Sequence, residues 1–552
     1  MAIIDLGNIR MNWRGVYDPK VHYVRDDAVS YKGSSFIALQ QGVGVTPTVG
    51  PYWDMLAAGT DQLTLEGDLL IHDGNIPIRL PRGTNAQVLQ MKDQRPVWQD
   101  QSLDHSRRVW KLAKVNGLGG WHTRVYLMAD GTLKACGHGG NYSNGDPAGK
   151  DTHIPSRIVT ENPEVRFVDV FSGSMQHYAL TAEGEVWSWG NNDYGHLGHG
   201  DTVNRAIAKR IDFFVANQIK IVRVIPPRTN YHHQACVYFL TQEGQVYACG
   251  INNEGNLGNG TSVNQSTPVR CGALVNIVDI IVSGFPHAIT AIQDDGALWV
   301  WGWNGSGQLG LGDTTKRETP IQHPLKNVMK AVVACGYAPD GKNPAGYGFV
   351  LQADGTVLAA GWNGEGQLGQ GDTTERHHFT PLKASESFIH IFGGDGRHGS
   401  GGAITKQGEL FLWGYNYYGQ LGNGNTERQL IPFKPKAPFQ GHVSRATFGG
   451  GSSYEGCVVQ AGNALWAAGY AGNGPIGIGI FNKTNTAFQR VLGQSGVIED
   501  WGVFGRGTDH WGLGVLYNDG RVDACGENSV YGETGTQTTN IHNVGALSPV
   551  RF

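Results

Sequence analysis

Charge is scarce in this chain: charged residues fill 16% of its 552 positions, and the formal net charge is −4. Lysines and arginines nowhere gather into a block, so the electrostatic footprint of a nucleic-acid binder is missing. Long apolar runs are missing too. No stretch approaches the roughly 18 apolar residues that cross a bilayer, and the start, MAIIDLGNIRMNWRG, lacks the apolar core of a secretory signal. A protein made in the cytoplasm, with no signal peptide and no membrane insertion, is expected. The seven cysteines form no C-x-x-C pair and are odd in number, and Cys136, Cys249 and Cys525 share one repeat position. Buried free thiols are therefore expected rather than disulfides.

Catalytic signatures are equally absent. The chain contains no H-E-x-x-H, G-x-S-x-G, P-loop or EF-hand pattern, and GDPAGKDT at 145–152 has the wrong spacing and no preceding apolar strand. No catalytic residue, cofactor or metal-ligand set is assigned, and the chain is expected not to be an enzyme.

What the chain has is glycine, 82 residues of it, beside 40% apolar residues that suffice for a core. The phrase WGWNGSGQLGLGDTTKRETP at 301–320 returns as AGWNGEGQLGQGDTTERHHFTP at 360–381. Aligning on the glycine that ends each such strand gives Gly137, Gly190, Gly250, Gly302, Gly361, Gly414, Gly469 and Gly526, eight units from about residue 105 onward. Each unit opens with two apolar runs flanking a Glu-Gly, Asp-Gly or Gln-Gly turn, as in HYALTAEGEVWSWG at 177–190. That is a hairpin signal, because glycine takes positive φ at no steric cost. A glycine-rich phrase follows, often with a proline near the next strand: Pro155, Pro268, Pro320, Pro381, Pro432 and Pro549. Helical periodicity is absent. Units of about four short strands read as propeller blades, with tryptophans and leucines wedged between neighbouring sheets.

The phrases WGNNDYGHLGHGDT (189–202), WGWNGSGQLGLGDTTKRETP and WGYNYYGQLGNGNTERQLIP (413–432) resemble the repeat of the regulator of chromosome condensation family. The resemblance spans about 105–552 and implies an all-β propeller. Units one, seven and eight depart from the pattern, and the family commonly has seven blades, so eight units leave seven or eight blades open. Family members include a nucleotide-exchange factor for a small GTPase, parts of ubiquitin ligases and photoreceptors. A fold of this kind implies no particular activity.

The first hundred residues carry a different signal. Residues 1–59 form a small β module, with two strands round YKGSS and Trp13, Tyr23, Tyr31, Phe36 and Trp53 available for a miniature core. The stretch resembles the type-3 chitin-binding-like module. Residues 60–104, with GDLLIHDGNIPIRLPRGTNAQVLQMKDQRPVW, alternate short strands and glycine turns without an evident core. Such strands need partners for their edges. The pattern resembles an element of bacteriophage tail fibres in which three chains wrap together, which implies an intertwined trimeric neck. By that resemblance the chain is a homotrimeric tail fibre or tail-tip protein of the virion. Its N-terminal region would bind other tail or baseplate proteins, and its propeller a host surface glycan or outer-membrane receptor. Two alternatives stand beside it: an intracellular propeller regulator binding a GTPase or other protein partner, and a tail-associated polysaccharide-degrading enzyme.

Two sets of residues stand out within the repeat. His122, His177, His233, His287, His398 and His510 each precede their unit's anchor glycine by a similar interval, a position often held by histidine in the resembled family. Residues from separate blades are usually too far apart to share one ion, so structural histidines are expected. The residue after the anchor glycine is aromatic in four consecutive units: Trp303, Trp362, Tyr415 and Tyr470, with Tyr417 and Tyr418 close by. Equivalent positions in a propeller share a radius, so these aromatics are expected on one arc of one face. Packing beneath the neighbouring turn is one reading of them; a stacking platform for sugar rings, with turn Asn and Asp groups on the hydroxyls, is the other.

Overall fold

A computed structural model describes residues 123–550 apart from 174, 227–235, 285–286, 338–343, 395–398, 437, 440, 451–454, 471–476, 480–483, 505–511 and 527–543; before residue 113 it describes mainly strands. The chain divides into two units, Met1–Asp104 and His105–Phe552.

In the first unit Asn12–Val16 pairs in parallel with Asp27–Tyr31, which pairs antiparallel with Ser34–Ala38 and through it with Trp53–Ala57. Further along, Leu69–Asp73 pairs with Ile76–Leu80, and Gln87–Lys92 with Arg95–Asp100, each as an antiparallel hairpin. Each of these two hairpins pairs within the chain as a separate two-stranded sheet. The side chains of Trp13, Tyr23, Tyr31, Phe36 and Trp53 lie outside the described residues.

The second unit is an eight-bladed β-propeller. Eight four-stranded antiparallel sheets follow one another, each built from four consecutive strands. Blade one comprises Val109–Leu112, Thr123–Met128, Leu133–Gly137 and Thr152–Arg157, and blade eight ends with Val522–Gly526 and Val544–Pro549. Tyr126, Met128 and Cys136 of blade one pack against Leu516, Val522 and Ala524 of blade eight, which closes the ring through side chains rather than an exchanged strand.

The sequence of each strand fits its radius. Third strands such as Val186–Gly190 (VWSWG) and Leu410–Gly414 (LFLWG) are buried along their whole length, because a sheet between two neighbours has no solvent face. Fourth strands such as Arg205–Arg210 are mostly half-exposed. Pro155, Pro268, Pro320, Pro381, Pro432 and Pro549 fall in these outermost strands. An edge strand tolerates the missing N–H there.

Adjacent blades are stitched at the hairpins. The N–H groups of Phe167, Ile221, Ile277, Val328, Phe388 and Val443 donate to the carbonyls of Gly131, Gly184, Gly244, Gly296, Gly355 and Gly408 of the preceding blade, at 2.9–3.0 Å. Those six glycines all sit at positive φ, from +69° to +88°. A side chain there would have to be accommodated in the left-handed region. Buried tryptophans bridge the blades as well: Trp301 Nε1 donates to Asn256 O and Trp413 Nε1 to Gln367 O, each at 2.7 Å.

Among the described residues a short α-helix, Asp212–Ala216, and a 3₁₀ turn, Gly140–Tyr142, depart from the strand-only expectation. Phe214 is buried from the α-helix against Phe239 of blade three, with ring centroids 4.8 Å apart. Burial of one ring fixes this single turn, which is too short to show helical periodicity in the sequence.

Candidate functional site

The repeat phrases build one face of the propeller. All eight anchor glycines have φ between +86° and +117°. A Cβ on Gly190 or Gly361 would lie 2.2 Å from a backbone carbonyl oxygen, of Met175 or Gly346 respectively. The chain then turns outward and an asparagine staples the loop. Asn304 Oδ1 accepts from Leu309 N–H at 3.0 Å, and its Nδ2 donates to Asp313 O at 2.9 Å. Asn192, Asn252, Asn363 and Asn416 also accept from the N–H of the buried leucine five residues on. Asp201, Asp313 and Asp372 in turn accept from Arg205, Arg317 and Arg376 at 2.7 Å. The Arg205 hydrogen bond holds the Asp201 carboxyl down to about 2. The turn asparagines and aspartates, read from sequence as ligands for hydroxyls, are thus committed to their own loops.

The aromatic residues after the anchors occupy one register. The N–H groups of Trp303, Trp362 and Tyr415 donate to the carbonyls of His287, Gly346 and Gly399 at 2.9, 2.8 and 3.2 Å, which places the three on the same face. Their environments then diverge. Trp303 and Trp362 are half-buried and fold back over their own loops, so that a Cβ on Gly305 or Gly364 would meet the indole at 2.5 or 2.4 Å. Trp303 also packs against the apolar core that includes Leu309.

The tyrosines do come together. Tyr415 stacks on Tyr417 (6.3 Å, 15°), Tyr418 meets Tyr417 edge-on (5.1 Å, 86°), and Tyr418 meets Tyr470 of blade seven edge-on (5.6 Å, 71°). Tyr417 is 64% exposed and the other three are half-buried. Beneath them lies Glu455, a buried carboxylate missed in the sequence reading, whose Oε2 accepts from Ser400 Oγ at 2.7 Å and Gln420 Nε2 at 2.9 Å. Burial, with Tyr418 and Glu455 adding to it, pushes the Tyr415 hydroxyl well above the usual phenol range. The Tyr415 hydroxyl therefore stays neutral at physiological pH. Glu455 stands in an irregular unit, directly before the partner of anchor Gly469, the position that His287 holds relative to Gly302; the sequence reading singled out only histidines near that position.

The histidines play a different part. His177 is fully buried, stacks on Trp189 (5.3 Å, 28°) and bonds Ser172 Oγ through Nδ1 at 2.8 Å. Desolvation drives its pKa down to about 3. His287 is buried with Nδ1 3.2 Å from Ser283 O. His122, His233, His398 and His510 lie outside the described residues. Among the described residues no three His, Cys, Asp or Glu side chains are grouped to hold a metal. Cys136, Cys236, Cys249, Cys271, Cys457 and Cys525 are free and buried.

Comparison with known proteins adds the ancestry. The model of the regulator of chromosome condensation (RCC1) repeat matches residues 183–225, 243–287, 295–338, 354–396 and 407–454, and a second RCC1 repeat model matches 167–195. The chain is 31% identical over 361 residues to the ultraviolet-B receptor UVR8 of Arabidopsis thaliana, across 64% of this chain and 76% of UVR8. It is 30% identical over 319 residues to the mitochondrial RCC1 domain-containing protein RUG3 of the same plant, across 55% of this chain and 66% of RUG3. The solved structure of Prp20p from Saccharomyces cerevisiae, described with its binding properties to Gsp1p and histones, shares the fold at a TM-score of 0.50 and 21% identity, covering 67% of this chain and 88% of Prp20p.

These matches overturn the tail-fibre reading. The proteins named are plant and yeast propellers, and the matched repeats lie within 167–454. The virion location, the homotrimer, the tail and baseplate partners and the host glycan or outer-membrane receptor all fall with it. So does the chitin-binding resemblance of the first residues. The signal had come from short stretches before residue 101, where the strands pair within the chain.

Proposed function

The chain belongs to the RCC1 repeat family, and from that premise we propose that it is a protein-binding regulator. It holds a partner, a GTPase or another protein, on the propeller's tyrosine-bearing face, and it acts by binding rather than by catalysis. The observation that carries this reading is the tyrosine cluster across blades six and seven, with Tyr417 64% exposed at its tip. Tyrosine offers large contact area at low conformational cost, and it is enriched where protein interfaces concentrate their binding energy. The half-buried neighbours Tyr415, Tyr418 and Tyr470 hold the ring ready, so little ordering is left to the moment of binding. An intracellular setting agrees with the six buried free thiols. The binding of Prp20p to Gsp1p and histones supports a protein as the partner class.

The test is a photo-crosslinking residue in place of Tyr417, activated in cells that express the full chain. A discrete set of protein adducts is expected at Tyr417, and none of these from the same residue placed at the exposed Lys406. Identical adducts at both positions would reject the assignment of this face.

A further inference from the structure

The opposite face of the propeller carries a second pattern. In each blade the first strand begins beside the hairpin of the same sheet, away from the tyrosines. Val328, for example, pairs with Gln352 just before the Asp354-Gly355 turn, whereas Trp362 is held by Gly346 at the other end of that strand. Near this start the ladder skips one residue, as between Ile221 and Arg223 or between Val328 and Lys330. In blades three to eight the residue after the skip (Arg223, Asp279, Lys330, His390, Arg445 and Asp500) lines an axial channel of about 790 Å³.

Those residues alternate in charge around the ring. Arg223 Nη1 meets Asp279 Oδ1 at 2.5 Å, and Arg445 Nη1 meets Asp500 Oδ1 at 2.7 Å with its guanidinium 4.5 Å from the Trp501 ring centroid. Asp169 occupies the same register in blade two, and Lys111 does so in blade one. Eight positions allow perfect alternation, and one position breaks it. Blade six has His390 where a carboxylate would complete the pattern, between Lys330 and Arg445. Lys330 Nζ lies 3.1 Å from His390 Nδ1. Burial, with Lys330 and Arg445 beside it, holds His390 down to about 4, so it is uncharged at neutral pH.

The residues just before the ring form an exposed apolar arc. Val278, Met329 and Ile389 are 55%, 66% and 59% exposed, and Val168 and Val222 continue the arc at about half exposure. Ser444 and Glu499 end it in blades seven and eight. The apolar arc and the cationic gap are therefore adjacent and share one side of the channel mouth.

We propose that the gap at Lys330, His390 and Arg445 seats an acidic side chain of a protein partner whose apolar side chains cover Val278, Met329 and Ile389. Charge complementarity selects the acid: Asp279 pairs with Arg223 and Asp500 with Arg445, so an anion between Lys330 and Arg445 continues the alternation. Hydrogen bonds from charged donors make such a seat stronger than a neutral one. The arc's exposed side chains supply the apolar contact that an isolated anion would not use, and Glu499 repels the acid from blade eight. This surface lies on the face opposite the tyrosines and adds to the partner-binding reading above.

A yeast-displayed library of random twelve-residue peptides, selected on the full chain, tests the proposal. The wild type is expected to enrich peptides with Asp or Glu flanked by Leu, Ile, Val or Phe. His390→Asp, which restores the alternation, is expected to weaken those peptides by about tenfold. His390→Asn retains them, and Ser444→Asp, outside the ring itself, weakens them as His390→Asp does. The acidic peptides are expected not to displace the partner crosslinked at Tyr417, so failure here is distinct from failure of the tyrosine face. Enrichment without acidic residues, or acidic peptides that bind His390→Asp equally, would overturn the proposal. Competition by inorganic phosphate with no apolar preference among the peptides would also overturn it, and would assign the gap to a small anion.

Discussion

The two faces of this propeller spend their polar groups differently. On the tyrosine face, asparagines, aspartates and arginines are consumed inside the loops: Asn363 alone bonds Leu368 N–H, Asp372 O and Thr374 O. At the channel mouth the charged side chains bond one another across blades and stay partly in water; Arg223 and Asp279 are 36% and 32% exposed. The contrast teaches where substitutions will register. Changes in the loops should be felt as stability, and changes at the channel mouth or on Tyr417 as binding.

The largest effect is expected from a blade-bridging tryptophan. Trp413→Ala removes a fully buried ring and its bond to Gln367 O, and should cost about 3–5 kcal/mol by denaturant titration. A loss below about 1 kcal/mol would break the contrast at its strongest point.

Acid should come next. His177 titrates near 3 in the fold, against about 6.5 unfolded, so the unfolded chain binds the extra proton between those values. Its stability contribution is complete above pH 6.5 and is lost as pH falls; from pH 6.5 to 5 the loss is about 2 kcal/mol. Thermal unfolding at pH 7 and pH 5, for the wild type and His177→Gln, measures it, and the variant should show the shallower slope.

Of comparable size is the loop staple. Asn363→Ala strands a buried leucine N–H and should destabilise by about 1–3 kcal/mol, with partner binding unaffected in protein that remains folded. At the far end, Arg223→Ala should change stability by less than about 1 kcal/mol, because an exposed pair is worth little. An effect as large as that of Trp413→Ala would show that the channel charges hold the ring together, and would reverse the assignment of the two faces.

Much of this architecture is legible in the sequence, and the reasons are local. Glycines forced to positive φ, a hairpin dipeptide in nearly every unit and a recurring Asn-x-x-Gly-x-Leu-Gly each encode a structure within a few residues, so eight units could be counted before any fold was known. Blade closure was not legible, because it rests on Tyr126 and Leu516, far apart in the chain. The aromatic positions were identified but not their fates: Trp303 and Tyr415 share a register, and only packing against different neighbours separates them. The channel ring escaped notice because unequal loops separate its charges from the anchor glycines. The tail-fibre reading failed because a short resemblance outside the repeat was given more weight than the repeat itself.

The central claim is that Tyr417 and its neighbours form the surface that holds a protein partner. Calorimetric titration of the partner recovered by crosslinking at Tyr417 tests it most directly, with wild-type chain beside Tyr417→Ala. The account expects the variant to melt as the wild type does and to bind at least about tenfold more weakly. Equal affinity in the two proteins would contradict it.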